Sequence, residues 1–208
     1  MQFANYTDFR TAVLKMIEGS DQVTSSISID TLDMLIALGE TYVYNGPPGL
    51  RSATMQAPLS LTVAANAVVL PSDCLAVEAA WLSPDEPLEA VSEEELRSKA
   101  KWNQGGSVRQ YAMAGTGLIF GPTAANGTVL QGRYYRRPAD LKTAGLNSTF
   151  SKYPEVFLFA ALAKSAPFIG DDERIPMWEM QFTQYMNSAN TLERNFAYMG
   201  SRLRQRAR

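Results

Sequence analysis

No histidine occurs in the 208 residues, which removes the usual general base near neutral pH and the commonest zinc ligand. The single cysteine, Cys74, has no partner for an intramolecular disulfide, and a reducing compartment suits such a chain. Long apolar runs are missing as well. The continuous run Val156–Ala163, flanked by Glu155 and Lys164, falls far short of the ~20 residues that span a bilayer. No basic segment followed by an apolar core opens the sequence, which predicts no secretory leader, no membrane association and synthesis in a cytoplasm. Nor is there an excess of one charge. With 19 basic and 21 acidic residues, net −2, the chain as a whole is not built to hold a polyanion. These absences point away from an enzyme: no catalytic residue, cofactor site or metal-ligand set is expected.

What is present suffices for a folded core, since 46 % of the residues are apolar. The period of that apolar content changes twice along the chain. Tyr6 to Glu18 reads as a helix capped by Thr7, with Phe9, Val13, Met16 and Ile17 near one face and Gly19 as the stop. After the polar loop SDQVTSS, a second helix is predicted from Ile29 to Tyr44, with Leu32, Leu35, Ile36, Gly39 and Val43 inward, ending at NGPPG. From Leu50 to Arg137 the period drops towards two. LSLTVAANAVVLP predicts two strands around an AAN turn, and CLAVEAAWL, VRQYAMAG, GLIFGP and TVLQGRYYRR predict four more. Short strands between Gly, Pro and Asn turns favour an antiparallel sandwich or barrel-like sheet. Within it, SEEELRSKA carries a capping box from Ser92 to Glu95.

Helices return after Pro138. One is predicted from Tyr153 to Ala166, closed by Pro167 and Gly170, and a second is capped by Asp171 or Asp172 and runs to Met199, about 40 Å. Along it Ile175, Trp178, Phe182, Tyr185, Ala189, Leu192, Phe196 and Met199 recur at alternating spacings of three and four, a heptad seam. Ile175, Trp178, Phe182, Tyr185, Leu192 and Phe196 are therefore candidates for packing between helices or between subunits; periodicity leaves open which. The fold expected is α+β: a discontinuous helical bundle from residues 1–46 and 147–200, an inserted antiparallel β domain at 47–146, and a basic tail at 201–208.

Few constellations carry chemistry. Asp85, Glu86, Glu89, Glu93, Glu94 and Glu95 read as a solvated loop and helix start rather than a calcium loop, because the alternating carboxylates and glycine of an EF-hand are missing. AGTGLIFG places its glycines between strands, where a hairpin turn explains them better than a phosphate loop. Cys74, with no histidine to activate it, reads as a small core residue. RYYRRP puts Arg133, Arg136 and Arg137 beside Tyr134 and Tyr135, the composition of single-strand binders, although alternation spreads them over two faces. The tail SRLRQRAR offers Arg202, Arg204, Arg206 and Arg208 to an acidic or phosphate-bearing partner.

Several phrases resemble the head–tail adaptor (connector) proteins of tailed bacteriophages, in particular the group related to the tubular tail adaptor of short-tailed phages. They are LIALGETYVYN, LPSDCLAVEAAWL with LEAVSEEEL, GTGLIFGPTAANGTVLQGRYYRRPADL, and YPEVFLFAALAKSAPFIGDDERIPMWEMQF, together spanning about Tyr6 to Leu192. Where comparable proteins carry basic residues at the end of the second helix, this chain has YNGPPGL. The resemblance implies a helical bundle plus a β domain and a dodecameric ring beneath the portal protein. That ring extends the DNA channel and gives downstream tail or nozzle proteins a platform. It further implies a structural virion protein at the head–tail junction, assembled in the host cytoplasm, that lets genomic DNA pass without specific binding. The C-terminal arginines become candidate portal-docking residues. Two other readings stand beside it: a nucleic-acid-binding module using RYYRRP and the arginine tail, and a glycan hydrolase with paired acids.

Overall fold

The computed structural model describes residues 2–19, 27–83, 86–98, 107–169 and 173–198. It divides into two compact units, Met1–Met55 with Pro138–Arg208, and Gln56–Arg137. The first is helical and comes from both parts of the chain; the second is a β-sandwich inserted between them.

In the helical unit, α1 has the expected bounds, Tyr6–Glu18, but not the expected cap. Asn5 is the N-cap, its side chain accepting the Asp8 amide at 2.9 Å, while Thr7 lies inside the helix. Gly19 closes α1 in the left-handed region at φ 67. Ser28 caps α2 (Ile29–Asn45), which buries Leu32, Leu35, Ile36, Gly39 and Val43. The expected 153–166 helix is two pieces, α6 (Pro154–Ala163) and α7 (Ala166–Ile169), after the short α4 (Leu141–Ala144) and α5 (Ser148–Lys152). Pro167 has no amide to give to the carbonyl of Ala163, so the chain turns before it. Ser165 closes that turn, its hydroxyl donating to the Leu162 carbonyl at 2.6 Å. The long helix α8 (Ile175–Tyr198) has 24 residues, about 36 Å. Its proposed caps Asp171 and Asp172, and Met199 at its far end, lie outside the described residues, as do SDQVTSS and Gly170.

The centre of the unit is α6. Eight of its ten residues are buried, so it presents no polar face to water. It packs against both α2 and α8. On the α2 side, a Cβ built on Gly39 would fall 2.7 Å from the Ala161 nitrogen, so the two backbones touch there. On the α8 side, the Phe159 and Tyr185 rings stack at 5.4 Å. Arg174, just ahead of α8, donates to the Met16 and Ile17 carbonyls at 3.0 and 2.7 Å and so closes the open end of α1.

In the inserted unit, the strands are β1 (Gln56–Thr62), β2 (Ala67–Val69), β3 (Cys74–Ser83), β4 (Glu86–Pro87), β5 (Glu89–Ala90), β6 (Gln110–Ala114), β7 (Gly117–Gly121) and β8 (Val129–Arg136). They form two four-stranded sheets, ordered β1-β8-β3-β4 and β2-β7-β6-β5, antiparallel except for the β5–β6 pair. Leu59, Leu130 and Tyr134 of the first sheet meet Tyr111, Leu118 and Phe120 of the second in one core. The AAN turn is present, with Ala65 and Asn66 at φ 49 and 61. It does not make a simple hairpin, because β1 pairs with β8 and β2 with β7, so it carries the chain from one sheet to the other. Asn66 pins it, donating to the Phe120 carbonyl at 2.9 Å and accepting the Ala124 amide at 2.7 Å. The helix α3 (Glu93–Ser98) is capped by Ser92, which accepts the Glu95 amide at 3.1 Å.

The compact β unit is shorter than the 47–146 read from sequence. Residues on both sides of it are tied to helices: the Arg51 amide donates to Asn190 on α8 at 3.2 Å, and the Leu141 amide to Glu40 on α2 at 3.3 Å. Among the described residues no helix is long and apolar enough to cross a membrane.

The Gly39–Ala161 contact yields a direct expectation. Gly39→Ala forces α2 off α6 and lowers the unfolding free energy by about 1–3 kcal/mol, despite alanine's better helix propensity. Urea unfolding checks this; a neutral or stabilising change would show that the helices are not in backbone contact.

Candidate assembly surfaces of the helical unit

The sequence pattern places a single apolar seam along α8, but the helix divides those residues between two faces. Trp178 and Phe182 are buried at 2 % and 6 % exposure, and Ile175 is half-buried. Tyr185, Leu192 and Phe196 are 37 %, 50 % and 57 % exposed and lie along one flank. The residues that turn inward beyond Phe182 are Met186, Ala189 and Glu193. The alternating three-and-four pattern has an average period of 3.5, and a straight helix drifts from it by about 20° per heptad. The inward face therefore moves on to Met186 and Glu193.

Glu193 takes an inward position because its charge is fully answered. Its carboxylate accepts from the Lys152 ammonium at 2.7 Å, the Tyr153 hydroxyl at 2.8 Å, the Ala53 amide at 3.2 Å and the Ser52 hydroxyl. Burial pushes the carboxyl pKa up, but these donors outweigh it and hold the group below its ordinary value. The same burial, with Glu193 as acceptor, pushes the Tyr153 hydroxyl up. The hub ties α8 to the segment before β1 and to the start of α6. Periodicity is blind to it, since a glutamate in a core is unremarkable only once its donors are known.

A second inward acid holds the N-terminal helices. Asp33 on α2 accepts from Tyr6 at 2.9 Å and pairs with Lys142 at 2.9 Å and Arg10 at 3.5 Å. Burial raises its carboxyl pKa, and the bonds from Lys142 and Tyr6 with the charges of Lys142 and Arg10 bring it below the ordinary value. Of the three charged residues of α2, Asp33 and Glu40 are buried, whereas Met34 and Leu38 are exposed. The usual polarity of a surface helix is thus partly reversed. On α8 likewise, no charged side chain occurs from Met180 to Leu192, and Met177 and Met180 are exposed. The exposed patch of Met34, Ala37 and Leu38 on α2 therefore has Asp30 at its N-terminal edge, and the stretch of α8 from Met180 to Leu192 carries no charge.

In the β unit the nucleic-acid reading loses one of its two stacking rings. Tyr134 is in the sandwich core, and its hydroxyl donates to Asp73 at 3.2 Å. Arg133 is ion-paired with Glu78 at 3.3 Å. A cavity of about 540 Å³ is lined by Cys74, Tyr111 and Met113 among other, mostly apolar, residues. Cys74 is half-buried rather than enclosed, and burial and the neighbouring Asp73 push its thiol pKa up. Gly115 and Gly117 of AGTGLIFG lie in and beside the turn between β6 and β7, with Gly115 at φ 60, and Gly121 ends β7. Glu93 pairs with Arg97 along α3 at 2.7 Å, and among the described residues no three potential metal ligands come together. Asp85 and the arginines Arg202, Arg204, Arg206 and Arg208 lie outside the described residues.

Comparison with known families decides among the readings. A family model described as SU10 adaptor protein matches residues 4–206, which run through both compact units. The chain belongs to this family. It is a bacteriophage head–tail adaptor, a structural component of the virion that works by contact with other head and tail proteins. No curated protein sequence matches it. For such an adaptor the relevant chemistry is packing, and the Glu193 hub is what fixes the α8 surface in place.

That hub has a pH signature. A carboxylate with a lowered folded pKa stabilises the fold fully above its unfolded value, about 4.5, and the contribution is lost as pH falls through the folded value. Glu193→Gln should lower the unfolding free energy by about 2 kcal/mol at pH 7, and the gap from wild type should close towards pH 3. Denaturant unfolding across pH checks this. An equal loss at both ends would mean that the charge of Glu193 contributes nothing.

Proposed function

We propose that the adaptor closes into a ring, of twelve copies, beneath the portal protein, where it extends the DNA channel and offers a platform to the downstream tail or nozzle proteins. The observation that carries this reading is the family match, because it runs through the helical and β units together and so assigns the adaptor role to the whole chain. The charge distribution supports it. A channel wall must let DNA slide, and a net charge of −2, with Arg133 held by Glu78, gives the phosphate backbone little to grip. Genomic DNA therefore passes without specific binding. The arginine-rich tail, residues 201–208, docks against acidic surface on the portal protein, with Arg202, Arg204, Arg206 and Arg208 supplying the charge. Ile175, Trp178 and Phe182 hold the bundle of each subunit, while Leu192 and Phe196, with the exposed edge of Tyr185 beyond its stack on Phe159, supply packing between subunits.

Native mass of the purified protein, alone and mixed with the portal protein, tests the reading. A fixed ring stoichiometry on the portal is expected, with salt-sensitive loss of affinity when residues 201–208 are deleted. A protein that stays monomeric and ignores the portal would overturn the ring, and unchanged binding by the truncated form would remove the tail from the docking site.

A further inference from the structure

The β-sandwich has one side that its own strands cover only in part. There the chain crosses between the sheets through β4 and β5, and each of these reaches along a fraction of its neighbour. β4 pairs with β3 at Trp81 and Ser83, and the Leu88 amide donates to the Ala80 carbonyl at 2.8 Å. β5 pairs with β6 at Gln110 and Tyr111. Beyond these contacts, among the described residues, no strand lies along residues 74–79 of β3 on the side away from β8, nor along residues 112–114 of β6 on the side away from β7. The cavity of about 540 Å³ lies between those two stretches, lined by Leu75 and Val77 from one sheet and Tyr111 and Met113 from the other.

Three observations say what this opening takes. On β6 the carbonyls of Arg109 and Tyr111 accept the Glu89 and Val91 amides, both at 2.9 Å. Backbone groups of alternate residues in a strand point the same way, so the amide and carbonyl of Met113 turn to that side as well, beside the cavity. Tyr111 is 7 % exposed and lines the cavity, and its hydroxyl has no hydrogen-bond partner among the described residues. Burial pushes that hydroxyl's pKa up. The lining carries no charged residue, and the space suits large apolar side chains. We propose that the opening receives an extended segment of another head or tail protein of the virion, which adds a strand to β6 beside Met113 and places an apolar side chain in the cavity. Such a segment answers all three features: its main chain pairs with Met113, its side chain fills the apolar space, and a carbonyl accepts from Tyr111. A small apolar molecule leaves the Met113 edge unpaired, and a nucleic acid meets no cation there. This chain's own residues outside the described ones suit it less, since 201–208 carries four arginines and 20–26 a single apolar residue, Val23.

The inference rests on the adaptor's contact with other virion proteins and not on the ring. Cys74 is the sole cysteine and lines the cavity, so a small thiol reagent reads occupancy. Iodoacetamide labelling of Cys74 is timed in the purified adaptor and in virions at one pH. Labelling about tenfold slower in virions is expected, the factor for a site nine-tenths occupied. The photo-reactive residue p-benzoylphenylalanine, placed at position 113 and irradiated in virions, identifies the occupant; cross-links to one short segment of a different virion protein are expected. Met113→Pro removes an amide that no strand of this chain uses, a change an edge position tolerates. Virions built with it should label Cys74 as fast as the free protein, or lack the partner protein, while Met113→Leu keeps the protection. Circular dichroism verifies the fold of both variants, and if Met113→Pro does not fold, labelling and cross-linking of the other forms decide. Equal labelling in free protein and virions overturns the proposal, as do cross-links to a second adaptor copy or to residues 99–106 of the same chain, and protection that survives Met113→Pro. Native mass on the portal protein is read separately. A ring whose Cys74 stays open in virions removes this docking site and leaves the ring, whereas protection in virions without a ring on the portal does the reverse.

Discussion

A helix with no polar side has to be enclosed on all of them, and in this adaptor that helix is α6. Its ten residues bury almost completely, and no neighbour from the same part of the chain suffices to cover them. The N-terminal α2 covers one side and the C-terminal α8 covers another. Two segments distant in sequence must therefore meet, and everything between α2 and α6 that does not join them is free to become a separate unit. The β-sandwich is such an insertion, with its own core drawn from both sheets.

The same constraint explains the odd placement of charge. Close approach at Gly39 leaves little space between α2 and α6, and the apolar surface of α6 is shared among several helices. The gaps that remain at the margins are filled by carboxylates with dedicated donors: Asp33 with Tyr6 and Lys142, Glu193 with Lys152 and Tyr153. An inward carboxylate of this kind is stable only while every donor stays in place, so each one fixes the relative position of several helices. The outward side of α2 is then free to expose Met34 and Leu38, and that of α8 to expose Met180 and Leu192 among uncharged polar residues, which suits a protein whose work is contact with other virion proteins.

The α+β layout was legible in the sequence because it depends on period: 3.6 at both ends, two in the middle, and firm breakers such as NGPPG between. Most strands and the helices α1 and α2 follow from that. What escaped were features that depend on partners far along the chain. Leu192 looks like core and Glu193 like surface until Ser52, Lys152 and Tyr153 are brought to the glutamate. Alternation already sets Tyr134 and Arg133 on opposite faces, but which of them is enclosed and that Glu78 takes the arginine depend on neighbouring strands. Asn5 outcompetes Thr7 as the cap because of where the chain enters α1. The short strands β4 and β5 are rich in acids and carry no apolar period at all, so their pairing with β3 and β6, where Gln110 donates to Glu89 across the β5–β6 pair, leaves no mark in the hydrophobic pattern. Function became legible only through phrases that resemble a family, since a structural protein has no reactive constellation to display.

The central claim is that α6 welds the two ends of the chain into one cooperative unit. Native-state hydrogen exchange resolved by residue tests it most directly. The account predicts that the slowest amides of α2, α6 and α8 exchange with one common opening free energy and respond together to denaturant. Slow exchange in α6 and α8 with α2 opening independently at much lower free energy would contradict it, and the helical unit would then be two loosely joined parts.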